Sequence, residues 1–141
     1  MGAIAAWYDP ARTTILQIYT DAWTWDEFYG TCRQSAEMMR SVAGRVDIIA
    51  DYTHSGPIPI GGAITHARNV MSAYPENWGA LVVVTSNRLI LLLVATFTRV
   101  FPTDLGSRTF AVSSVKDAEL LIERMRHSQA RRAYDEDETS Q

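Results

Sequence analysis

At 141 residues and 15.8 kDa the chain has the size of one ordinary domain. A chain of this length buries roughly 68% of the surface its unfolded form exposes, so it needs no metal or disulfide to hold a core. Its single cysteine, Cys32, excludes an intramolecular disulfide. Hydrophobic residues at 47% and charged residues at 21% exclude wholesale disorder. Thirteen basic against sixteen acidic side chains give −3, which argues against a nucleic-acid or anionic-membrane surface.

The start, Met1 to Asp9, lacks the basic and long apolar regions of a secretory signal. The longest strictly apolar run, Leu89 to Ala95, falls far short of the ~20 residues of a membrane helix. A cytoplasmic chain with no membrane span is the expectation.

Ala3 to Tyr8 is a short apolar segment, and Asp9-Pro10-Ala11-Arg12 is a turn. Thr13 to Thr20 is rich in strand formers, with Leu16 and Ile18 on one face and Gln17 and Tyr19 on the other. The two segments predict an antiparallel hairpin. Thr24-Trp25-Asp26-Glu27 is a capping box. The helix behind it sets Trp25, Phe28, Cys32, Ala36 and Met39 on one face and stops near Ala43-Gly44.

Val46 to Asp51 predicts a buried strand, and Tyr52 to Pro59 a turn-rich loop. A helix from Gly61 or Gly62 ends at Tyr74, ahead of Pro75. The β-branched run in Trp78 to Thr85 predicts a central strand covered on both faces. Ser86-Asn87-Arg88 opens a helix to about Phe101, with Leu89, Leu92, Leu93, Phe97 and Val100 sharing one face. Ile90, Leu91 and Val94 enlarge its apolar surface beyond what one face needs. A strand over Thr109 to Val112 and a helix from Ser113-Ser114 complete the body. Near His127 the periodicity stops, and Arg131-Arg132 runs into Asp135 to Glu138. The division is thus an α/β domain over 1–128 and a flexible charged tail over 129–141.

The order β-β-α-β-α-β-α-β-α predicts a mixed, mostly parallel sheet of four to five strands with four helices, starting with a β-hairpin. Function in open α/β sheets gathers beyond the strand carboxyl ends. The candidate binding residues there are Asp51, His54, Ser55, Ile58, Ile60, Gly61 and Gly62 in one loop, and Ser86, Asn87 and Arg88 in the next. Ser86, Asn87 and Ser114 also serve as plain helix caps. Residues 56–62 match no phosphate-loop spacing, and two prolines remove amide donors. That stretch is instead stiff and apolar: a packed connection or a docking lip.

Catalytic readings are weak. Around Ser55 the glycine positions of a nucleophile elbow hold Thr53 and Pro57. Asp51 has a plainer role in bonding its own loop. His54, His66, His127 and Cys32 have no metal-site spacing. The tryptophans and tyrosines lack the basic stripe that base stacking requires. No enzyme activity, cofactor or metal is expected.

The strand ending in Asp51, the polar loop, the Gly-started helix and the later strand Leu81-Val82-Val83-Val84-Thr85 together resemble the STAS domain of anti-sigma-factor antagonists, over about residues 3–126. The Trp23-Thr24-Trp25-Asp26 start of the first helix is more similar to divergent STAS-like proteins, a group also likened to CRAL-TRIO lipid-binding domains. The resemblance implies a regulatory protein-interaction module in a bacterial cytoplasm. Switching members carry Asp-Ser-Ser-Gly at the second helix, where a kinase phosphorylates a Ser. This chain has Pro59-Ile60-Gly61-Gly62, so the phosphoacceptor is missing. The expectation is a non-enzymatic module that docks an unidentified protein partner, with a homodimer seam along the third helix as a further possibility. The alternative is a domain binding a small apolar ligand or lipid, with Met38, Met39, Met71 and Met125 as lining.

Overall fold

The computed structural model describes residues 2–139. Its elements are β1 (Ala3–Trp7), β2 (Thr14–Asp21), α1 (Trp25–Arg40), β3 (Val46–Ser55), α2 (Ala63–Ser72), β4 (Trp78–Val84), α3 (Arg88–Val100), β5 (Thr109–Val112) and α4 (Val115–Thr139). A short 3-10 turn, Gly106–Arg108, precedes β5. The five strands form one sheet in the order β1-β2-β3-β4-β5. β1 pairs antiparallel with β2, and every later pair is parallel. The expected α/β class, hairpin start and mixed, mostly parallel sheet are therefore observed.

Strand order that follows chain order has a consequence. Right-handed crossovers that all step the same way put α1, α2 and α3 on one face. α4 follows the last strand and packs on the other. Neighbouring residues of β3 show the split. Ile48 and Ala50 join the core under α1–α3, with Phe28, Cys32, Met39, Val70, Met71 and Phe97. Ile49 joins Val82, Val84, Ala118 and Ile122 under α4. Because the order never reverses, the sheet has no crevice of the kind that opens where strand order turns back.

Local chemistry explains the element ends. The Thr24 hydroxyl accepts the Glu27 amide at 3.1 Å, and Glu27 Oε1 accepts the Thr24 amide at 3.2 Å, closing the capping box. Asn87 caps α3, its Oδ1 accepting the Leu89 amide at 2.8 Å. Ser114 Oγ accepts the Asp117 amide at 3.0 Å at the head of α4.

Three expectations need correction, and the alternation in β2 acquires an inner face. β3 does not stop at Asp51 but runs to Ser55, because β2 extends to Asp21 and supplies partners Thr20↔His54 and Asp21↔Ser55. The two faces of β2 alternate as expected, and the more deeply buried one carries Ile15, Gln17 and Tyr19. Gln17 is tolerated there because its Nε2 donates to Ser35 Oγ (2.9 Å) and its Oε1 accepts the Tyr19 hydroxyl (3.1 Å). The inward stripe of α3 is Ile90, Leu93, Val94 and Phe97, while Leu89, Leu92 and Val100 face out. Finally, α4 continues as helix to Thr139, through most of the expected tail, with residues 129–137 exposed. Residues 140 and 141 lie outside the described residues, as does Met1.

Candidate binding site

The carboxyl ends of β3 and β4, with the loops leading into α2 and α3, form one rim. β3 reaches it through a bulge. Ile18 pairs with Asp51 and Thr20 with His54, so β3 carries one residue more than β2 there. Beyond the bulge Ser55 is fixed from two sides: Trp23 Nε1 donates to its Oγ at 2.8 Å, and that hydroxyl donates to the Gly56 carbonyl at 2.8 Å. Asp51 accepts the Thr53 amide at 2.9 Å, the local loop-bonding role expected of it. His54 is exposed. Asp51, His54 and Ser55 thus sit on one strand end, and Ser55 is committed to Trp23 and Gly56 rather than to a base. This geometry gives no activated nucleophile.

The loop from Gly56 to Gly62 closes over the helix-side core. Ile58 turns in and Ile60 turns out, the latter 99% exposed. Trp25 Nε1 donates to the Ile60 carbonyl at 3.3 Å and ties the loop to the start of α1. Gly61 and Gly62 follow with φ of +90° and +70°, a conformation that side-chain-bearing residues adopt only at a cost. Gly62 is the N-cap of α2 and has no side chain to cap with. His66, one turn into α2, packs its ring 4.4 Å from the Trp25 ring and lies 2.7 Å from the Tyr29 hydroxyl through Nδ1. Asn69 Nδ2 donates to the same hydroxyl at 3.1 Å. This Trp25–Tyr29–His66–Asn69 cluster carries no sequence signal, since its members are separated by a strand and recognised by no motif.

Beneath the loop lies an apolar cavity of about 110 Å³, walled by α2, α3 and the sheet; Ile58, Ala67, Met71, Leu93 and Phe97 are among its lining residues. Its polar margin is Gln17, Cys32, Tyr52 and Tyr74. Burial raises the Tyr52 and Tyr74 phenols and pushes the Cys32 thiol up to about 11, so these groups are neutral at ordinary pH. An uncharged, apolar space of that size suits a few heavy atoms at most, because drug-sized ligands need roughly 300–1,000 Å³.

On the outer side of the rim α3 presents Leu89, Leu91 and Leu92, at 53%, 40% and 59% exposure. Of the second group of candidates, Asn87 serves as the α3 cap and Ser86 and Arg88 are exposed beside it. Among the described residues no cluster of three or more His, Cys, Asp or Glu could hold a metal ion. Nor, among them, is any helix long and apolar enough to cross a membrane. Compared with known protein families, curated proteins and solved structures, the chain matches none. The STAS resemblance therefore rests on the sequence pattern that suggested it.

Proposed function

We propose that the chain is a non-catalytic recognition module that docks a protein partner on the apolar rim formed by the Gly56–Gly62 loop and the first turns of α3. The observation that carries this reading is the exposure of Ile60, Leu89, Leu91 and Leu92 at one end of the sheet. Single exposed apolar residues are ordinary, but several on one rim favour an interaction surface. The STAS resemblance supports the same role in a cytoplasmic regulatory pathway. With Pro59-Ile60-Gly61-Gly62 in place of a phosphoacceptor, docking would be constitutive rather than switched by phosphate. Capture from the host lysate by the whole chain and by Leu89→Asp/Leu92→Asp tests the reading. A protein retained by the first and lost by the second, with equal melting temperatures, is the expected result. Capture of the same proteins by both would overturn it, and retention of the chain itself would identify the rim as a homodimer seam.

A second reading, binding of a small apolar ligand, is favoured by the cavity under the loop. Its size points to a molecule of a few heavy atoms, smaller than benzene, rather than to a lipid chain. Native mass spectrometry of protein from its own host tests it: a co-purifying small mass supports the reading, and the bare chain mass counts against it.

A further inference from the structure

The opposite end of the sheet holds a feature that the proposed rim does not use. At the amino ends of β3, β4 and β5, where the later turns of α4 cross, an open groove of about 620 Å³ is lined by Arg45, Arg108, Arg124 and Arg132 against a single acid, Glu76. In a chain of net charge −3 this is a local reversal of sign. Arg45 and Arg108 lie far in sequence from the α4 pair, Arg124 and Arg132, so no basic run announces the four together.

Two of the guanidinium groups are held in place before anything binds. Arg45 reaches Asp47 through Nε and Nη2, both at 2.9 Å. Asp47 is fully buried and also pairs with Arg126, so one carboxylate faces two cations and positive charge remains in excess there. Arg108 lies with its guanidinium carbon 4.2 Å from the Trp78 ring centroid and donates to the Trp78 carbonyl at 3.0 Å and to Asp104 at 2.7 Å. Arg124 and Arg132 bring two further charges from α4. Gly79 is what lets Arg45 come so close, because a Cβ there would collide with Arg45 Nε and Asp47 Oδ1. An independent observation comes from Trp78 itself. The residue is 3% exposed, lines this groove, and its indole N–H is the one buried side-chain polar atom without a hydrogen-bond partner among the described residues. That N–H is itself buried, so it reports on the groove through the ring that Arg108 covers rather than by touching a ligand.

We propose that the groove is a binding site for a small organic anion of the phosphate-monoester class. Guanidinium forks fit phosphate oxygens in pairs, and a doubly charged group matches the excess of arginine better than a single carboxylate does. Phe110 and Met125 in the same lining offer apolar contact for the organic part. The volume lies within the range of small-molecule sites.

Phenyl phosphate, with inorganic phosphate and benzoate beside it, is the probe. It is titrated into the whole 15N-labelled chain while the four tryptophan indole signals are followed; Trp78→Phe assigns one of them. The expected result is a saturable shift of the Trp78 indole signal at physiological salt, with phenyl phosphate binding more tightly than either control. Arg124→Glu and Arg132→Glu, both on α4, should each weaken binding about tenfold or more while leaving the spectrum of the folded core unchanged. A shift that does not saturate, vanishes at physiological salt or survives both substitutions would overturn the proposal. So would a salt-sensitive dimer that Asp135→Lys/Glu136→Lys abolishes, because the groove would then receive the acidic end of a second copy.

Discussion

The two ends of the sheet are built on different principles. At the amino end, the Trp78 indole apart, buried polar groups are tied into a network. Asp47 takes bonds from Arg45, Arg126 and the Ala80 amide, and Arg126 reaches on to Thr13. Asn77 Nδ2 sits among the carbonyls of Met39, Val42 and Gly44 and fixes the exit of α1. At the carboxyl end the loop is held at Gly56, whose amide donates to the Asp21 carbonyl and whose carbonyl accepts the Ser55 hydroxyl, and at Ile60 by the Trp25 indole, while apolar side chains stand in solvent. A domain can keep its shape at one end and leave the other free to be recognised. The buried ion pairs lie at the amino end, and Ile60, Leu89, Leu91 and Leu92 stand exposed at the carboxyl end.

Substitutions can break or sharpen that contrast. The largest effect is expected from Asp47→Ala, which strands two arginines and a backbone amide around a void. It should cost about 3–5 kcal/mol in urea unfolding, as removing one partner of a buried ion pair does. Asp47→Leu, which restores volume but not charge, should recover little while Arg45 and Arg126 remain. Asn77→Ala comes next at roughly 1–3 kcal/mol, since three carbonyls lose their donor. Acid should act on the same end. Burial alone would raise the Asp9 carboxyl, but the Thr13 hydroxyl and the Thr13 and Thr14 amides hold it below the usual range. A folded-state pKa below the unfolded one contributes stability above the unfolded value, near about 3.9, that is lost as pH falls through the folded one. A shallow loss of stability below that pH, absent in Asp9→Asn, is the expected outcome. At the carboxyl end Leu92→Asp should change stability by no more than about 0.5 kcal/mol and yet abolish partner capture. Cys32 gives the smallest signal. With its thiol pushed up to about 11 by burial, it should resist thiol reagents at neutral pH until the chain unfolds.

Much of the scaffold was legible in the residues. The capping box at Thr24, the Pro75 stop and the β-branched run in β4 each act within a few positions, so pattern reading finds them. The failures share a cause. Alternation in β2 does not say which face is buried, because Gln17 is made buriable by Ser35 and Tyr19, which meet it only in three dimensions. On α3 almost every position is apolar, so the side that faces in is decided by the sheet and by α2 rather than by periodicity. The strand reading stopped at Asp51 because Thr53-His54-Ser55-Gly56 reads as turn, whereas pairing with Thr20 and Asp21 overrides that preference. The loop with Ile60 is readable from the sequence as a stiff apolar stretch, while Trp25, Tyr29 and His66 are invisible there as a cluster. The arginine groove was hidden for the same reason.

The apolar rim at the strand carboxyl ends is the proposed seat of another protein. A photo-reactive residue placed in turn at Ile60, at Leu92, and at exposed Leu120 on α4 tests this most directly in the host cell. A single discrete adduct from Ile60 and Leu92, and none from Leu120, is the predicted result. An adduct from Leu120 alone, or none from either rim position, would contradict it.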